Sequence, residues 1–190
     1  MPSARGRRNV RGSRAYRTEK QSRPVAIASE RPTRRPDRRP ATIGRVIWLL
    51  RHGAAEDEAP DDAARRLTPR GEQEASAAAG ALAALEVEVD ACLSSPKVRA
   101  LDTARAVAAE LGVAVEQTEA LRGGDFDLEE LAAGQGDVLL VGHEPDLSRA
   151  VQAATGARIE LKKGGLAAIE NGSLVALLRP AQLRAIASAR

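Results

Sequence analysis

Two uninterrupted apolar runs dominate the hydrophobic pattern of this chain, at residues 46–50 and 137–141, the latter opening on Asp137. Neither run alternates, and each ends abruptly in polar residues and glycine, so each predicts a strand buried on both faces. Helical signals lie between and after them. Thr68 is placed as an N-cap, Pro69 fits the first helical position and Glu72 the first turn, predicting a helix through the alanine-rich stretch to Leu85. Residues 87–93 predict a second strand, broken by Asp90. Ser95-Pro96 starts a second helix with Ser95 as its cap, running to Leu111 and stopped by Gly112. Residues 113–115 predict a short strand, and 121–136 a loop with one short helix at 128–133. A further helix runs from Pro145 to Ala154. Strands at 166–169 and 173–178 flank Glu170-Asn171-Gly172, whose Asn-Gly pair is a hairpin signal. A helix at 181–188 closes the pattern.

Strands that alternate with helices predict an α/β fold. The expected form is a three-layer α/β/α sandwich with a mostly parallel central sheet and helices on both faces. In such sheets the ligand lies beyond the carboxyl ends of the strands.

Charge divides the chain. Residues 1–45 carry 14 Lys and Arg against Glu19, Glu30 and Asp37, a net +11, while the remainder is −8. The sequence pI of 9.5 therefore describes the N-terminal segment and not the domain. Residues 1–44 hold five prolines and little apolar content, so they are expected to form a disordered basic tail, with residues 45–190 as the folded domain. A nucleic-acid-binding arm is one reading of that tail. Tyr16 is its one aromatic residue, which favours plain disorder, or an extension from a start site placed too far upstream. No apolar run approaches the length of a membrane span. The single cysteine, Cys92, lies in an apolar run and is expected to fill the core. A cytoplasmic protein is the expectation.

Three polar clusters fall at predicted strand ends: Arg51-His52-Gly53, Ser94-Ser95-Pro96-Lys97-Val98-Arg99, and Gly142-His143-Glu144-Pro145. His52 and His143 are the only histidines of the chain. A single histidine at a strand end is most often a hydrogen-bonded surface residue. Two histidines and two arginines converging on one sheet edge instead suggest a site for a tetrahedral oxyanion. Guanidinium forks clamp such an anion with paired hydrogen bonds. Gly53 would remove a side chain where a phosphate approaches the backbone. Arg99 would lie one turn into a helix whose N-terminus also favours an anion. A neutral imidazole nitrogen can attack phosphorus and form a covalent phospho-enzyme. With arginines neutralising the phosphoryl charge, no metal or cofactor is expected. A metal site of His52, His143 and Glu144 is the competing reading, and the two cationic arginines argue against it.

The Arg-His-Gly triplet at 51–53, the Ser-Ser-Pro-x-x-Arg-Ala-x-x-Thr-Ala run at 94–104 and the Gly-His-Glu triplet at 142–144 resemble the histidine phosphatase (phosphoglycerate-mutase-like) superfamily. The short length and the Leu67-Thr-x-x-Gly71 signature resemble its compact branch, the SixA-type phosphohistidine phosphatases. The resemblance covers about residues 46–178. It implies that His52 is the nucleophile and that Arg51, Arg99 and His143 complete the phosphate pocket, with Gly53 and Glu144 beside the substrate. Thr103 and Ala104 belong to the matched motif and are expected to pack the helix, with Asp102 on its surface. Glu144 either orients the site or caps the following helix.

One departure bears on the substrate. Larger members of that superfamily place an acid on an inserted region after the second helix, to protonate an alkoxide leaving group. Here the interval between Leu111 and Asp137 is short. Asp125, Asp127, Glu129 and Glu144 are the available donors, and solvated loop carboxylates are the plainer reading of the first three. A weak or missing acid suits a phosphoramidate, because imidazole leaves phosphorus more readily than an alcohol. The expected substrate is therefore a phosphohistidine protein, as in signal transduction. Small phosphomonoesters, or a phospho-binding regulatory module without turnover, are the alternatives. The acid-rich loop at 56–66 would repel a highly anionic small substrate, an effect partly offset by Arg65 and Arg66.

Overall fold

The structure is a computed structural model that describes residues 44–189. The basic segment expected to be disordered lies, apart from Gly44, outside the described residues. Within them one six-stranded sheet carries the fold, in the spatial order β3-β2-β4-β1-β5-β6. Its strands are β1 (Val46–Arg51), β2 (Ala91–Ser94), β3 (Val115–Gln117), β4 (Val138–Gly142), β5 (Leu166–Glu170) and β6 (Ser173–Leu178). The four strands from β3 to β1 run parallel, and β5 and β6 pair antiparallel at the other edge. The turn between those two has left-handed Asn171 (φ 50) and Gly172 (φ 71), the two positive angles that a tight hairpin demands.

Five helices cover both faces: α1 (Pro69–Ala84), α2 (Val98–Leu111), α3 (Leu128–Leu131), α4 (Asp146–Thr155) and α5 (Pro180–Ser188). Alternation along the strands sorts the core in two. Ile47, Leu49, Val138 and Leu140 face α3 and α4, packing with Leu128, Leu147 and Val151. Leu50, Leu139, Val141 and Leu166 face α1, α2 and α5, packing with Ala78, Leu82, Ala104, Val107 and Leu183. This is the three-layer arrangement expected from the pattern. Cys92 is buried in the second cluster, and burial pushes its thiol up to about 12, so it stays protonated and inert at neutral pH.

Helix α1 begins as the sequence suggests, with the Thr68 hydroxyl accepting from the Gly71 N–H at 3.2 Å. Three elements start two or more residues later than expected. Strand β2 starts at Ala91 rather than 87, because Asp90 is bonded to Asp137 instead of a ladder partner: its N–H donates to the Asp137 carbonyl at 2.7 Å, and its carboxylate accepts from the Asp137 N–H at 2.9 Å. Val87 and Val89 still cover the core without pairing. Strand β3 starts at Val115 rather than 113, since the Val113 N–H closes the end of α2 on the Ala108 carbonyl. Helix α2 starts at Val98, capped by the Lys97 backbone and not by the Ser95 side chain. No helix of the described residues is long and apolar enough to cross a membrane.

Candidate functional site

The order of the sheet sets the site. β2, β4 and β1 are neighbours, so their carboxyl ends lie side by side. Backbone bonds hold the three exits in register: the His52 N–H donates to the Gly142 carbonyl at 3.1 Å, and the Ser95 N–H to the Val141 carbonyl at 3.0 Å. His52, His143 and Arg99 meet there, each 6 % exposed, with the two imidazole centres 5.0 Å apart.

The tautomer of His52 follows from its partner. Its Nδ1 lies 2.7 Å from the Gly53 carbonyl oxygen, which can only accept, so Nδ1 carries the proton and Nε2 keeps its lone pair. The Arg99 Nε–H points at that lone pair from 3.3 Å. Burial lowers the His52 pKa to about 4, and the charges of Arg99, Arg51 and Lys163 add to this against the Gly53 hydrogen bond. His143 is pushed to about 3, again by burial first and then by His52, Arg99 and Lys97. Both rings are neutral at pH 7. A neutral, oriented imidazole with an open Nε2 beside a guanidinium is a nucleophile placed next to an oxyanion holder.

Among the described residues, two buried side-chain polar atoms have no hydrogen-bond partner: Arg51 Nε and His143 Nδ1. Buried polar atoms are seldom left unpaired, and both belong to residues that the sequence assigns to an anion pocket. Arg51 is otherwise fixed by one bond, from NH1 to the Leu161 carbonyl at 2.7 Å. His143 is fixed through Nε2, 2.8 Å from the Ser95 hydroxyl.

The loop that carries His52 is held by groups on α1 and α2. Gly53 also has a packing task. A Cβ there would overlap the Gly71 carbonyl, and one on Gly71 would overlap the Ala54 carbonyl, so the glycine pair lets the start of α1 touch the loop backbone. The Gly53 N–H is itself taken by the Thr103 hydroxyl at 3.2 Å. Glu74, fully buried on α1, accepts the Ala54 N–H at 2.8 Å and pairs with Arg70 at 2.9 Å.

Glu144 is a support at one remove. Burial raises its pKa, and its carboxylate accepts from the Ser148 hydroxyl at 2.8 Å. That hydroxyl accepts the Leu161 N–H at 3.3 Å, and the Leu161 carbonyl holds Arg51. It therefore reaches the site through Arg51, while the start of α4 has no side-chain cap. The other carboxylates weighed as proton donors are bonded elsewhere. Asp125 pairs with Arg149 at 3.5 Å, Asp127 caps α3, and Glu129 pairs with Arg45. Among the described residues, no three His, Cys, Asp or Glu side chains gather as metal ligands.

Sequence reasoning did not single out Asp62, which approaches on a short 3-10 turn, Asp62–Ala64. Its carboxylate lies 3.0 Å from Lys97 and 3.1 Å from both Arg99 and Arg65, and its carbonyl accepts from Arg99 at 2.6 Å. Lys97 above all, then Arg99 and Arg65, hold this carboxyl far below the usual carboxylate range. No local pattern marks Asp62 as part of the site, because Lys97 and Arg99 lie some 35 residues later. Ser95 and Thr103 were within the quoted motif, but their roles depend on which strand ends are neighbours.

Comparison with known proteins gives the same assignment. Residues 47–132 match the model of the histidine phosphatase superfamily (branch 1). An uncharacterized protein of Picosynechococcus sp. (strain ATCC 27264 / PCC 7002 / PR-6) is 38% identical over 141 residues, covering 67% of this chain and 86% of that protein. A SixA protein from Agrobacterium tumefaciens, described as a candidate phosphohistidine phosphatase, superposes with a TM-score of 0.65 at 25% identity, over 72% of this chain and 99% of its own. The protein histidine phosphatase SixA complexed with tungstate superposes with a TM-score of 0.64 at 24% identity, over 73% and 99%. That second likeness speaks for the fold alone.

Proposed function

Because the chain belongs to the histidine phosphatase superfamily, we propose that it is a cofactor-independent phosphatase whose nucleophile is Nε2 of His52 and whose preferred substrate is phosphohistidine on a protein. The observation that carries this reading is the Nδ1–H bond of His52 to the Gly53 carbonyl, which leaves Nε2 unprotonated beside Arg99. The lone pair on Nε2 attacks phosphorus as the bond to the substrate imidazole breaks. The leaving nitrogen keeps that electron pair and departs as neutral imidazole when its other ring nitrogen is already protonated. Water then attacks phosphorus and the bond to His52 breaks, returning the pair to Nε2. One water proton stays on the new phosphate oxygen and the other passes to a second phosphate oxygen. Arg51, Arg99 and His143 hold the phosphoryl oxygens throughout, with the unpartnered Arg51 Nε and His143 Nδ1 as ready contacts.

The choice of phosphohistidine is supported by the carboxylates. Asp125, Asp127 and Glu129 have partners elsewhere, and Glu144 is bonded to Ser148. A leaving group that needs no strong acid suits such a site. The likeness to a SixA protein at 25% identity points the same way.

The test is phosphate release from a phosphohistidine protein, phosphoramidate and a set of phosphate esters. The phosphohistidine protein should turn over fastest, His52→Ala should abolish release, and acid-labile, base-stable phosphate should be trapped on His52. Full activity in His52→Ala protein would overturn the mechanism. Faster hydrolysis of esters would overturn the substrate.

A further inference from the structure

An open cleft of about 470 Å³ has Arg51 in its wall. His52, Arg99 and His143 do not line it. Arg51 does, together with Arg70 of α1, Lys162 and Lys163 of the segment before β5, and Arg179 and Arg184 at the start of and within α5. Four separate parts of the chain thus line one space with six cations. Among the described residues, two carboxylates form ion pairs with them: Glu74 with Arg70, and Glu160 with Lys162. The cleft therefore keeps a net charge of about +4, within a domain whose residues 46–190 sum to −8. Arg51, which lines the cleft, is the chain neighbour of His52, so cleft and nucleophile adjoin.

A concentration of positive charge on an otherwise acidic domain needs a counterpart. The phosphoryl group cannot be it, since the histidine site holds that group. A nucleic acid fits poorly, because no aromatic side chain lines the cleft for a base to stack on. The cleft is also larger than one phosphate requires, and its cations come from well-separated stretches of the chain.

We propose that this cleft is a second anion subsite that holds acidic side chains flanking the phosphorylated residue of a protein substrate. The inference rests on the phosphatase reading, with Arg51 as the wall shared by both sites. The enzyme then selects phosphoproteins whose phosphorylated residue has an acidic neighbourhood. Association is faster and more sensitive to salt for such substrates than for neutral ones.

Two phosphohistidine peptides, identical except for Glu or Gln at the flanking positions, test this with the full chain. The readout is kcat/KM at low and at physiological salt. Native protein should favour the Glu peptide by about tenfold at low salt, less at high salt. In an Arg179→Glu/Arg184→Glu variant that preference should vanish or invert, while hydrolysis of phosphoramidate stays unchanged. Both arginines are exposed, Arg179 just before α5 and Arg184 within it, so the variant is expected to fold, and an unaltered thermal melt checks this. Equal rates for the two peptides with native protein, or an undiminished preference in the variant, would overturn the proposal. Binding of the unphosphorylated Glu peptide to His52→Ala protein, read by fluorescence anisotropy, separates this idea from the catalytic one. If no peptide is hydrolysed, yet binding is salt-sensitive and lost on adding the two arginine substitutions, the subsite stands and the phosphatase reading falls. If hydrolysis proceeds without any such binding, the subsite falls alone.

Discussion

The depressed pKa of His52 makes a sharp prediction about pH. An imidazole at the ordinary value of 6.5 would be only about one-tenth neutral at pH 5.5. With its pKa at about 4, His52 would be more than about nine-tenths neutral there. The cause is structural: burial first, with Arg99, Arg51 and Lys163 adding to it against the single Gly53 hydrogen bond. Because kcat/KM reports the ionisation of the free enzyme, it should stay flat from pH 8 to about pH 5 once the substrate's own phosphate ionisation is divided out. The acid limb should follow with a midpoint near 4. Nitrogen NMR checks the same quantity directly, since His52 and His143 are the chain's only histidines. An enzyme-borne inflection near pH 6.5, or a His52 ring that protonates there, would refute the argument.

Three further outcomes follow from the same geometry. Both histidines have folded pKa values below their unfolded ones, so between about pH 4 and 6.5 the unfolded chain binds protons that the native site refuses. Their contribution is fully present above pH 6.5 and is lost as pH falls, by about 1.4 kcal/mol per pH unit for each ring. His52→Asn should flatten that slope in urea unfolding at pH 7 and pH 5. Asp62→Asn should tighten inhibition by inorganic phosphate about 1.5- to 5-fold, because a half-exposed carboxylate that competes for Arg99 and Lys97 is worth about 0.2–1 kcal/mol. Unchanged or weaker inhibition would show instead that Asp62 serves to hold Arg99 in place. Gly71→Ala should cost about 3 kcal/mol or more in urea unfolding, because its Cβ meets backbone that cannot step aside, and should lower activity by displacing Ala54, two residues from His52. A stable and fully active variant would contradict that packing.

Much of this protein is determined locally. The unbroken apolar runs of β1 and β4, short and bounded by turn residues, specify strands covered on both faces, and the Thr68-Pro69 start and the Asn171-Gly172 turn specify their own geometry. The Arg-His-Gly and Gly-His-Glu triplets at strand ends mark the sheet edge where the site must lie, because their meaning depends on nearest neighbours in sequence. What only the tertiary structure decided is partnership across distance. Placing β4 between β2 and β1 is what turns Ser95 from an expected helix cap into a hydrogen-bond partner of His143. The close packing of α1 on the loop gives Gly53 its contact with Gly71, and the fold of the 56–66 loop brings Asp62 onto Arg99. The cationic cleft has the same origin, since Arg70, Lys163 and Arg184 share no sequence neighbourhood and come together only when α1 and α5 pack side by side. Hydrophobic periodicity fixes which face of an element is buried, but the order in which strands lie is a matter of chain topology, and the chemistry of this site depends on that order.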